Sequence, residues 1–120
     1  MSQYITAATE LLARRQAGTK APVLAADIRP LSIDDAFAIH AEMANQQPVG
    51  GWKCLLPPAA DKVIAAPIFS NSKQEGESCE LFADNGKARI EPEITFILGQ
   101  DIPAQETDYS DAEIDDAIAS

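Results

Sequence analysis

The 120-residue sequence predicts an α+β fold, with helices gathered before residue 48 and strands after it. Three observations predict this. Apolar residues recur at helical spacing in two N-terminal segments, each opened by a capping signal. The periodicity then shortens in the apolar and aromatic run VGGWKCLL. Finally, ARIEPEITFIL, residues 88–98, reads as a strand with two glutamates set into it.

The first helix is predicted over residues 2–17, where Ile5, Ala8 and Leu12 follow the i, i+3, i+7 pattern and Leu11 widens that face. Ser2 is placed to cap its start and Gly18 its end. Residues 19–30 read as an extended connector, because Pro22 and Pro30 oppose helix. A second helix follows, with Ser32 as N-cap, Asp35 completing a capping box, and Ala36, Phe37, Ile39 and Met43 behind it. Pro48, Gly50 and Gly51 close it. VGGWKCLL, residues 49–56, is a strand with Lys53 in its middle. Residues 57–76 read as an irregular loop, since Pro57, Pro58 and Pro67 interrupt any pattern and KVIAA suits a helical turn and a strand alike. ESCELF, residues 77–82, alternates as a strand, and Asp84-Asn85-Gly86 is a turn signal into residues 88–98, which predicts a β-hairpin. The last segment, SDAEIDDAIAS, opens on a second capping box, Ser110 with Glu113, and Ile114, Ala117 and Ile118 begin an apolar stripe. That stripe reaches Ser120 after about three turns with neither a glycine cap nor a basic last turn, the pattern of an amphipathic helix cut short.

Composition sets the limits. The chain is 46% apolar and 23% charged, ordinary for a globular domain, and long enough for a hydrophobic core without disulfides or a structural metal. Its net charge of -10 is not ordinary. With nine Lys and Arg residues scattered and only Arg14 and Arg15 adjacent, no basic patch is present to release counterions from a phosphate backbone. Nucleic acid is therefore excluded as the expected partner, and a divalent cation suits the acidity better. Cys54 and Cys79 lack CxxC spacing and a nearby histidine, and read as reduced, partly buried thiols. The N-terminus has Glu10 and no continuous apolar stretch of the secretory kind, and no run approaches the roughly 20 residues of a membrane helix. A cytoplasmic protein is the expectation. Signatures of nucleotide binding, of serine hydrolases, of zinc proteases and of EF-hand loops are absent from the sequence.

The candidate site rests on Glu91 and Glu93. In a strand, residues i and i+2 project to one face, roughly 7 Å apart at the backbone, so both carboxylates could close on one ion. Hard cations such as Mg²⁺ or Mn²⁺ take this kind of oxygen ligand while keeping positions for water and substrate. Pro92 between them cannot donate to a ladder, which marks an edge, a bulge or a rim. From the pattern alone the solvated face of an amphipathic edge strand is the commoner meaning of such a pair, and a cation site the alternative.

Taken together, GWKCLLP (51–57), APIFS (66–70), RIEPEITFILGQDIP (89–103) and DYSDAEIDDAIAS (108–120) resemble the 2-keto-4-pentenoate hydratase family of the fumarylacetoacetate hydrolase superfamily. ATELLARRQAG and DDAFAIH extend the resemblance over essentially the whole chain. It implies N-terminal helices (residues 1–48) followed by the first strands of a mixed β-roll or sandwich (49–120), incomplete at the C-terminus. It further implies a metal-dependent hydro-lyase acting on small 2-oxo or 2-hydroxy-dienoic acids from aromatic-compound catabolism, working as a homo-oligomer. Glu91 and Glu93 match the family's first two metal ligands, for Mg²⁺ or Mn²⁺, and Lys53 matches its active-site lysine. The third metal carboxylate of the family follows the segment matching residues 110–120 and is not in this chain. Asp115 and Asp116 read as a solvated helix face. Leu55, Leu56 and Pro57 stand where the family has a glycine and a small polar residue, and His40 where it often has glutamine. A related decarboxylase of 2-oxo diacids and a non-catalytic interaction module are the alternatives.

Overall fold

Local chemistry fixes the helices. Helix α1 (Gln3–Ala17) starts where the Ser2 side chain accepts from the Ile5 N–H and stops where Gly18 turns left-handed at φ 61°. Glycine takes that conformation without a Cβ clash, and the Gly18 and Thr19 N–H groups close onto Arg15 and Arg14 carbonyls at 3.2 and 3.0 Å. Arg14 and Arg15 place positive charge at the negative end of the helix dipole. Helix α2 (Ile33–Gln46) opens on the predicted capping box. The Asp35 N–H donates to Ser32 Oγ at 3.0 Å, while Asp35 Oδ2 accepts from the Ser32 and Leu31 N–H groups at 3.1 and 3.0 Å. The other Asp35 oxygen accepts from the Tyr4 hydroxyl at 2.7 Å, which ties α1 to α2.

The computed structural model describes residues 2–21, 23–55, 63–81, 83 and 85–120. They fall into two units, residues 1–80 and 81–120. In the first, α1 and α2 pack together with a two-stranded antiparallel sheet, β1 (Val49–Leu55) and β2 (Ile64–Phe69). Trp52 lies opposite Pro67, Lys53 opposite Ala66 and Cys54 opposite Ala65. A register shift between Val49 and Gly51 lets Gly50 pass close to the turn that follows β2, where a Cβ at position 50 would meet Ser70 Cα at 3.1 Å. Glycine is required there by space rather than by φ. The core of this unit is Ala7, Ala8, Leu24, Ile28, Ile39, Met43 and Phe69, edged by Tyr4, Leu11, Leu12 and Val49. The Arg15 guanidinium lies over the Phe69 ring, 5.4 Å from its centroid.

Strand β2 corrects the irregular loop predicted for residues 57–76. Pro67 obscured it, but in a two-stranded sheet every second N–H points to an open edge, where proline is tolerated. Leu56 and residues 57–62 lie outside the described residues.

The arms of the predicted hairpin are a second correction among the described residues, although Lys87 after the turn makes an isolated bridge. Residues 77–81 and 88–97 carry no strand, and Phe82 and Asp84 lie outside the described residues. The Gln74 carboxamide takes the place of a strand partner at Glu80, accepting from its N–H at 2.7 Å and donating to its carbonyl at 3.2 Å. Pro92 denies the other arm a donor, and an isolated hairpin has too little buried surface to stand alone.

In residues 81–120, α3 (Asp111–Ala117) starts on the predicted capping box of Ser110 and Glu113. It ends earlier than the stripe suggests. Ile118 turns extended and pairs antiparallel with Leu98, and the Ile97 and Gly99 N–H groups donate to Ser120 and Ala117 carbonyls at 2.7 and 2.8 Å. Ala119 and Ser120 thus hydrogen-bond to Ile97 instead of continuing the helix, while the Ile118 N–H still donates to the Asp115 carbonyl. The chain is α+β, and among the described residues no helix is long and apolar enough to cross a membrane.

Candidate functional site

Glu91 and Glu93 flank Pro92 in residues 88–100, every one of which is exposed. No ladder holds residues 88–96, so the same-side projection that a strand would impose on i and i+2 is not enforced by a sheet. Arg89 Nη1 stands 3.9 Å from Glu91 Oε1, with both side chains exposed. An exposed ion pair of that length is worth little.

The loop beyond the glutamates is better fixed. A Cβ on Gly99 would lie 3.1 Å from Ala119 Cβ, so the tight pairing of residues 97–99 with 117–120 favours glycine there. Gln100 Nε2 donates to the Asp116 carbonyl at 3.0 Å, and the Tyr109 hydroxyl donates to the Pro103 carbonyl. The Gly99-Gln100-Asp101-Ile102-Pro103 loop is thereby tied at Gln100 to the last turn of α3 and at Pro103 to Tyr109, just ahead of that helix. Glu113 serves the cap: hydrogen bonds from the Ser110 N–H and hydroxyl hold its carboxyl below the ordinary range, which marks it as structural.

Lys53 belongs to residues 1–80. It sits mid-strand on β1, half-buried between the exposed Trp52 and Cys54. Because Val49 and Phe69 pair at the core and the register shifts before Gly51, alternation puts Trp52 and Cys54 on the Phe69 side and Lys53 on the other, with Ile64, Ala66 and Ile68. Both cysteines are free and exposed, which corrects the partly buried thiols expected from sequence. Cys54 lies near the end of a sheet that has two strands among the described residues.

Among the described residues, no group of three or more His, Cys, Asp or Glu side chains is placed to hold a metal ion. What remains is the two-carboxylate set. Its hard oxygen donors suit Mg²⁺ or Mn²⁺, which commonly binds through one or two carboxylates and fills its shell with water or substrate. His40, set aside in the sequence, has a buried Nδ1 with no hydrogen-bond partner among the described residues and lies in the helical unit with α2. The Tyr4–Asp35 bond, which joins two helices across 31 positions, has no local sequence signal.

No protein-family model, no curated protein and no solved structure matches this chain.

Proposed function

We propose that the protein is a metal-dependent hydro-lyase of the 2-keto-4-pentenoate hydratase type, adding water to a small 2-hydroxy-dienoic acid to give a 4-hydroxy-2-oxo acid. The observation that carries this reading is the Glu91-Pro92-Glu93 element: two carboxylates open to solvent, followed by a loop that hydrogen bonds fix in place. Glu91 and Glu93 would hold a hard divalent cation, which would supply Lewis acidity to the substrate.

The chain's own groups have separate tasks. Glu91 and Glu93 would act as carboxylate ligands, and neither is assigned a proton transfer. Pro92 restricts the backbone between them and keeps a neighbouring strand from bonding at that position. Lys53, in the first unit, is the lysine that the resemblance matches to the family's active site, a compact ammonium on a long stem. The overall chemistry is ketonisation of the dienol followed by conjugate addition of water, with the hydroxyl entering at C4 and the proton at C3.

The test is the Mg²⁺-dependent loss of absorbance of a 2-hydroxydienoate. Turnover that EDTA stops and that Glu93→Gln abolishes supports the reading. Turnover that survives both treatments contradicts it.

A further inference from the structure

Asn85 and Gly86 form an exposed turn. Both take left-handed backbone, at φ 51° and 74°, and Asn85 is the one non-glycine residue to do so among the described residues. Asparagine tolerates that conformation because its side chain is short and polar, but glycine alone holds it freely. The surroundings are open: a Cβ built on Gly86 would meet nothing within 4 Å. Residues 77–81 and 88–97 carry no strand, so beyond an isolated bridge at Lys87 no regular ladder among the described residues resists rotation of the Asn85 backbone.

The other two asparagines of the chain are held. Asn45 lies in the last turn of helix α2 and is followed by Gln46. Asn71 sits in the short 3₁₀ helix Ser70–Ser72, where its Nδ2 donates to Gln47 Oε1 at 3.3 Å, and Ser72 follows it. At both positions the side chain of the next residue crowds that residue's own amide nitrogen. At Asn85 the next residue has no side chain, and its nitrogen stands open to the neighbouring carboxamide.

We propose that Asn85 is a modification site, deamidated in the folded protein through a cyclic imide to aspartyl and isoaspartyl forms. The Gly86 nitrogen gives its proton to a base in the solvent and attacks the Asn85 carboxamide carbon, closing a five-membered ring. The bond from that carbon to the side-chain nitrogen breaks, and ammonia leaves with a proton taken from water. A second water then opens the ring. Opening at the side-chain carbonyl gives aspartate, whereas opening at the main-chain carbonyl routes the chain through Cβ and gives isoaspartate. Either product adds a carboxylate to a chain whose net charge is already -10. This inference does not depend on the hydratase reading, because it uses no residue assigned to that site.

Incubation of the full chain in buffers of rising pH, followed by peptide mapping with mass spectrometry, tests it. The tryptic peptide ending at Lys87 is expected to gain about 1 Da, the difference between a carboxamide and a carboxylic acid, at a rate that climbs with pH. Electron-based fragmentation is expected to show isoaspartate beside aspartate, the mark of a ring that opened both ways. Asn45 and Asn71 are expected to stay unchanged over the time that converts half of Asn85. Gly86→Ala is expected to slow the conversion at least about tenfold, because a methyl group then shields the attacking nitrogen. The position is exposed, so an unchanged far-UV circular dichroism spectrum accompanies the slowing. An unchanged mass at residue 85, aspartate without isoaspartate, or equal conversion of Asn71 overturns the proposal. So does conversion that Gly86→Ala leaves as fast as before.

Discussion

Truncating Phe69 is the most informative perturbation of the first unit, because neighbouring positions of β2 provide their own control. Phe69 is 2% exposed within the core and lies beneath Arg15, whereas Ile68, one residue earlier, is 38% exposed on the other face of the strand. Phe69→Ala removes a fully buried ring and leaves a cavity lined by helix residues, a change that costs about 3–5 kcal/mol in comparable cores. Loss of the guanidinium contact adds about 0.5–1 kcal/mol. Ile68→Ala gives up only part of a side chain's burial, about 1 kcal/mol. At a urea dependence of about 1 kcal/mol per molar for a small domain, the midpoint falls by about 3.5–6 M for Phe69→Ala and about 1 M for Ile68→Ala. A stability of about 5–15 kcal/mol is typical of single domains, so the first variant stands close to complete unfolding. Urea titration followed by Trp52 fluorescence and by circular dichroism measures both. Because a one-residue slip exchanges the two faces of a strand, equal or reversed costs would refute the register of β2 and the core built on it.

Three further outcomes follow from local features. Hydrogen bonds from Tyr4, then from Leu31 and Ser32, hold the Asp35 carboxyl below the ordinary carboxylate value of about 3.9. Its stabilising effect is thus complete above that value and is lost as pH falls through the lower folded value, so the stability gap between wild type and Asp35→Asn should be open at pH 7 and close in acid; a gap that widens in acid contradicts the assignment. Gly18→Ala should cost about 1 kcal/mol in thermal or urea unfolding, because the site is sterically open and only its left-handed φ of 61° opposes a side chain. Gly99→Val should speed hydrogen exchange at the Ala119 amide, since a Cβ at position 99 presses on Ala119, and unchanged exchange would count against the pairing of residues 97–99 with 117–120.

What the sequence made legible was local. Helix boundaries came through because Ser2, Ser32, Ser110 and Gly18 declare themselves within three or four positions of the bonds they make. Strands depend on partners elsewhere in the chain. The proline that hid β2 would be disqualifying in a central strand and costs little in a two-stranded one. The hairpin failed for the reverse reason: alternation in residues 77–82 and 88–98 was sound as pattern, but Gln74 had taken the backbone of Glu80 and Pro92 had removed a donor. Likewise, α3 stops at Ala117 because the main-chain groups of Ala119 and Ser120 bond to Ile97 and the Ala117 carbonyl accepts from Gly99. Within the candidate site, the glutamates' exposure suits both the solvated face and the cation site that the pattern suggests. Their assignment as ligands rests on residue type, spacing and resemblance.

Manganese titration followed by electron paramagnetic resonance tests that assignment most directly, because the free-ion signal falls as the ion is bound. The account predicts one Mn²⁺ taken up per chain, displaced by Mg²⁺ and released when either Glu91→Gln or Glu93→Gln is introduced. Uptake that neither substitution changes, or no uptake at millimolar Mn²⁺, would contradict it.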